Sequence, residues 1–101
     1  MFKRIIFTLK NKMIKLKKFI FNNFQENTYI IFDETNECVI IDPGCNSKIE
    51  DDMILSYINS KNLKPVELLN THCHLDHVFG NYLFQKEYSL IPKFHKLDLP
   101  L

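Results

Sequence analysis

Residues 71–77 read THCHLDH and hold three of the chain's four histidines, His72, His74 and His77, with Asp76 directly before the last. In extended backbone, side chains alternate in direction, so His72 and His74 point the same way and two imidazoles can grip one metal ion. Asp76 and His77 stand where the chain turns into a helix. That bend redirects both side chains, and they can address a second ion nearby. Imidazole plus carboxylate suits zinc, and also iron or manganese. The competing reading, a chance cluster of polar loop residues, leaves the register H-x-H-x-D-H directly after a strand unexplained. Cys73 should point away from the metals by the same alternation, which makes packing its expected role. The fourth histidine, His95, follows His77 by eighteen residues. It sits close to a Pro and a Lys and reads as a surface or loop residue.

Such a loop needs elements to hold it. Ile14, Leu16 and the run Phe19, Ile20 and Phe21 predict a first strand, punctuated by Lys15, Lys17 and Lys18. Asn22 and Asn23 signal a turn. NTYIIF at 27–32 predicts a second strand, and CVII at 38–41 a third, ended by Asp42, Pro43 and Gly44. Together they form a β-meander. Ser47 and Glu50 make a capping box, with Asp51 and Asp52 adding negative charge in the first turn. Ile49, Met53, Ile54, Tyr57 and Ile58 then fall on one helical face. Lys61 and Asn62 suit its end, with Pro65 just beyond. Val66 to Leu69 predict a further strand, so a helix between strands points to an α/β layered fold. After the histidine segment, Val78, Tyr82 and Leu83, or Phe79, Leu83 and Phe84, predict a second helix to about Glu87, and Leu90 with Ile91 a strand fragment. Asn70 and Thr71, just before the motif, are expected to brace the loop through side-chain to backbone bonds.

The chain has 101 residues, 46% of them apolar and 13% aromatic, which suffices for one packed domain. A formal net charge of +1 gives no reason to expect a nucleic-acid partner. The lysines at 10, 12, 15, 17 and 18 read as a solvated strand face. No apolar run is long enough to span a membrane. Three cysteines, Cys38, Cys45 and Cys73, make a disulfide framework improbable, and reduced thiols in a cytoplasmic protein are the expectation. The basic stretch 1–12 reads as an extension outside the fold, with Met13 an alternative start, and 13–101 as the structured part.

THCHLDHVFGN resembles the signature of the metallo-β-lactamase superfamily, in particular its glyoxalase II-like (hydroxyacylglutathione hydrolase-like) hydrolases. Asn27, Thr28 and Tyr29 resemble the family's early NTY segment, Ile41 to Gly44 its strand-ending aspartate and turn, and Gly80 the small residue of its helix. The resemblance covers about residues 14–101. It implies the N-terminal half of an αββα sandwich, laid out as β-meander, helix, strand, metal loop and helix, with the C-terminal half missing as partner. It implies two divalent metal ions, with zinc the leading choice and iron or manganese the alternatives. His72 and His74 would bind the first, and Asp76 and His77 the second. Asp42 would be a supporting group that orients ligands. Asp76 would also be catalytic, orienting a metal-bridging hydroxide for attack on a small thioester or related ester, a glutathione thioester being the leading class. Further ligands and the substrate-binding residues lie downstream in the family, so the chain alone is expected to be inactive. The alternative is a non-catalytic, partner-dependent metal-binding module.

Overall fold

Alternation of large apolar with polar side chains folds residues 15–41 into the expected meander. The computed structural model describes residues 13–71 and 74–94. The basic segment 1–12, His72, Cys73 and His95 lie outside the described residues. Strand β1 (Lys15–Phe21) pairs antiparallel with β2 (Glu26–Phe32), which pairs antiparallel with β3 (Glu37–Ile41). The connecting turns place Asn22 (φ 58°), Gln25 (φ 53°) and Asn36 (φ 67°) in the left-handed region, which asparagine tolerates better than most residues.

Helix α1 (Lys48–Ser60) carries the chain to β4 (Lys64–Asn70), which runs parallel to β3. Next come a single turn, α2 (Leu75–Val78), the helix α3 (Asn81–Tyr88) and a short β5 (Pro92–Phe94) parallel to β4. The sheet is mixed, and its strand order is the chain order, β1-β2-β3-β4-β5. Its helix-covered face carries Phe19, Phe21, Ile30, Phe32, Cys38, Ile40 and Leu68. These pack on Ile54 and Ile58 of α1 and Phe84 of α3 to form the core.

Several sequence expectations shift. Ser47 caps α1 by accepting from the Glu50 N–H at 3.2 Å, but Glu50 does not reach back to Ser47. Its carboxylate accepts instead from the Asn46 N–H at 2.9 Å and the Asn22 N–H at 2.8 Å, and so ties the helix start to the β1–β2 turn. Ile49 and Met53 are exposed, not on the buried face. At about 100° per residue they stand far round the helix from Ile54 and Ile58. The single helix expected after the histidine segment is two, broken at Phe79 and Gly80. The Gly80 N–H donates to the Pro43 carbonyl at 2.7 Å, and a β-carbon there would come within 2.5 Å of the Cys45 sulfur. That close approach stops the helix. The last strand begins at Pro92, beyond Leu90 and Ile91. On the opposite face of the sheet, Leu16 and Ile20 remain exposed and Tyr29 and Ile31 half-buried, with no helix of the described residues over them.

Candidate metal centre

The site forms at the carboxyl ends of β3 and β4. Asp42 follows β3 in the left-handed region (φ 51°), which turns its side chain towards the end of β4. There Oδ1 accepts from the Thr71 N–H at 2.7 Å, and Oδ2 accepts from the Thr71 hydroxyl. His77, on α2, sets Nδ1 3.1 Å from Asp42 Oδ2 and 3.4 Å from Glu26 Oε2. Its Nε2 lies 3.5 Å from Asp76 Oδ2. The two ring nitrogens therefore serve two different neighbours. A carboxylate next to Nδ1 favours the tautomer with its proton there, which leaves the Nε2 lone pair on the Asp76 side. The rings of His74 and His77 lie 6.5 Å apart, centroid to centroid. Of the four motif residues, the structure brings Asp76 and His77 together and sets the His74 ring nearby. His72 lies outside the described residues.

Glu26 belongs to this centre and was not singled out from the sequence, where the second strand was expected to begin one residue later. It is buried, as is Asp42 (each 4% exposed). The ligand atoms of Glu26, Asp42 and His77 all lie within 4.8 Å of one another. Burial, with the nearby Asp42 and Asp76 charges adding to it against an opposing Thr28 hydrogen bond, pushes the Glu26 carboxyl up to about 8. Hydrogen-bond arithmetic agrees. The Thr28 hydroxyl lies 2.9 Å from Glu26 Oε1 and 2.7 Å from the Asp42 carbonyl oxygen, and accepts from the Gly44 N–H. It has one proton for two acceptors, and a protonated Glu26 satisfies both. A signal did exist in the sequence. Period-2 alternation through Thr28, Ile30 and Phe32 puts Glu26 on the inward face, where a lone carboxylate needs a reason.

Cys38 and Cys45 are buried free thiols. Burial pushes Cys38 up to about 12 and Cys45 higher still, so neither is a thiolate at neutral pH. Both belong to the core. An open cleft of about 400 Å³ lies over the centre, lined by Glu26, Asp42, Thr71, Asp76 and His77 with the exposed Phe24 beside them. This donor set fits a divalent ion. An imidazole nitrogen and a carboxylate oxygen converge, and the proton on the other nitrogen has a buried acceptor. Among the described residues, no helix is long and apolar enough to cross a membrane.

A family model described as the Metallo-beta-lactamase superfamily matches residues 22–100. A hydroxyacylglutathione hydrolase of Buchnera aphidicola subsp. Baizongia pistaciae is 38% identical over 63 residues, covering 62% of this chain and 22% of that protein. The human mitochondrial persulfide dioxygenase ETHE1 is 36% identical over 66 residues, covering 64% of this chain and 24% of that protein. The chain thus spans about a quarter or less of these relatives' lengths. Among solved structures, the BLEG-1 B3 metallo-beta-lactamase superposes with a TM-score of 0.69 at 24% identity, over 77% of this chain and 35% of that one. ETHE1 from Myxococcus xanthus gives 0.64 at 23%, over 77% and 34%. These two likenesses concern the fold.

Proposed function

The chain belongs to the metallo-beta-lactamase superfamily, and from that premise we propose that it carries the histidine-rich part of a two-ion hydrolase site acting on a thioester. The observation that supports this most is the divided role of His77, with Nδ1 against Asp42 and Nε2 towards Asp76. His72 and His74 would hold one divalent ion, and Asp76 and His77 the other, with zinc the best match to the donors. When bound, the ions would acidify water and polarise the substrate carbonyl. The protein's own groups do the rest. Asp42 holds the His77 ring in one tautomer. Asp76, one-quarter exposed at the cleft, can accept a proton from the attacking water at its carboxylate. In the metal-free chain, burial and the Asp42 and Asp76 charges favour the neutral form of Glu26. Glutathione thioesters are the leading substrate class, because several curated relatives are hydroxyacylglutathione hydrolases.

The test is metal content and turnover together. The chain should take up Zn²⁺ or Co²⁺, and His74→Ala and His77→Ala should each lower that affinity at least about tenfold. Two protein ligands per ion fall short of the roughly three a catalytic zinc uses, so S-lactoylglutathione should be cleaved slowly or not at all by the 101-residue chain. No metal uptake at micromolar Zn²⁺ would end this reading. The exposed apolar face around Leu16 and Ile20 favours a second reading, a metal-binding module completed by a partner. A monodisperse, metal-loaded monomer by size exclusion would weigh against it.

A further inference from the structure

Helix α2 is only four residues long, yet it presents both Asp76 and His77. One turn of helix has almost no stability of its own, and the carbonyls of its last residues have no partner within the helix. Two of those carbonyls are taken by side chains from elsewhere. The Asn22 Nδ2 group donates to the Asp76 carbonyl at 3.0 Å, and also to the Gly44 carbonyl at 3.0 Å. The Asn70 Nδ2 group donates to the His77 carbonyl at 3.0 Å.

The oxygen of each amide also has a partner. Asn22 Oδ1 accepts from the Phe24 N–H at 2.8 Å, which leaves its NH₂ to face the carbonyls. Asn70 Oδ1 accepts from the Asn81 side chain at 3.0 Å, consistent with its NH₂ facing the His77 carbonyl. Asn22 is itself anchored, because its own N–H donates to Glu50 on α1. Asn70 is buried at the end of β4. A hydroxyl at either place is too short to reach, and a carboxylate would set oxygen against oxygen.

We propose that Asn22 and Asn70 are positioning residues for the metal centre, two side-chain amides that hold the consecutive carbonyls of Asp76 and His77 and so aim those side chains at one point. The amides reach α2 from the β1–β2 turn and from the end of β4. The inference rests on the metal reading above for its purpose, but the two pins can be tested without metal.

The experiment uses the whole chain with Co²⁺ as probe, alongside hydrogen exchange. Asn22→Asp and Asn70→Asp keep shape and the accepting oxygen while removing the donor. Each should weaken Co²⁺ affinity by about 10- to 100-fold and alter its visible absorption, as loss of a group that orients ligands does. Exchange of the His77 backbone amide, which donates to the His74 carbonyl at 3.0 Å, should quicken at least about tenfold while amides of β2 and β3 keep their rates. Unchanged Co²⁺ affinity with unchanged His77 exchange in both variants overturns the proposal. A wild-type chain that takes up no Co²⁺ overturns the metal reading instead, and the exchange result then decides the pins. If a variant fails to fold, Asn22→Gly, which keeps the left-handed backbone (φ 58°), or Asn70→Ala takes its place. In the wild-type chain itself, Asn22 and Asn70 NH₂ protons that exchange as fast as those of the exposed Asn59 overturn the proposal outright.

Discussion

Asp42 joins three things at one carboxylate: the end of β3, the residue that opens the histidine segment, and the His77 ring. Its left-handed backbone is part of that work, since extended backbone would not turn the carboxylate across to Thr71. Asn tolerates the same φ, so Asp42→Asn isolates the charge. Oδ1 can still accept from the Thr71 N–H, but an amide NH₂ facing His77 Nδ1 favours the opposite tautomer, with its proton on Nε2. Metal affinity should fall by about 10- to 100-fold with thermal stability little changed; a Zn²⁺ titration beside a melting curve checks both. Glu26 carries a pH signature. Its proton is held to about 8 in the folded chain, against 4.5 for the free group. The folded state therefore binds a proton that the unfolded state has lost across that window. The contribution is fully present below about pH 4.5 and is lost as pH rises through about 8. The metal-free chain should melt at a lower temperature near pH 8.5 than near pH 5, at up to on the order of 1 kcal/mol per pH unit. Glu26→Gln keeps the neutral form and should flatten that slope; a parallel slope in the variant would refute the assignment. The histidine motif could be read from its spacing, whereas Asp42 entered only through the family resemblance carried by the turn after β3. Glu26 could not be read from type, because a glutamate at a strand start usually faces water.

At the scale of elements, the site depends on close approaches. A β-carbon on Gly44 would come within 2.2 Å of Glu26 Oε1 and 2.8 Å of both Asn22 Nδ2 and the Asp76 carbonyl oxygen. Gly44→Ala must push the strand-end loop away from α2. It should cost about 1–3 kcal/mol in urea unfolding and weaken metal uptake with it. Helix α1 gives a control pair. Ile54 is fully buried and Ile49 is 75% exposed. Ile54→Ala should destabilise by about 2–5 kcal/mol, whereas Ile49→Ala should stay within about 0.5 kcal/mol. The meander, α1 and β4 were legible because their cues are local: alternation, a cap, and Asn in the left-handed turns. The break between α2 and α3 was not. It depends on Gly80 meeting Pro43 and Cys45, residues more than thirty positions away, and no local propensity reports such a contact. The outward placement of Ile49 and Met53 was missed for a related reason. Ile49 and Ile58 stand about 180° apart on α1, too far for one stripe, and the sheet decides which residues are covered.

For the molecule as a whole, the two faces of the sheet differ. One is sealed by α1 and α3. The other shows Leu16 at 61% and Ile20 at 58% exposure, flanked by half-buried Tyr29 and Ile31. An apolar area of this kind invites association. Replacing both Leu16 and Ile20 by Lys should shift the chain towards monomer in sedimentation velocity and leave its melting temperature within a few degrees, since neither side chain is in the core. Unchanged association would place the contact elsewhere. Lys15, Lys17 and Lys18 on the same strand, β1, already guard this edge of the sheet, with the Lys17 ammonium 5.2 Å from the centre of the Phe19 ring.

The strand order carries a consequence for how the chain comes together. Because each strand lies beside its predecessor, every new strand can dock as it leaves the ribosome, with no gap held open for a later one. Asp42 and Glu26 would then be waiting on a formed template before the histidines are synthesised. The contacts of Thr71 and His77 with Asp42 would then dock the newest part of the polypeptide onto the oldest.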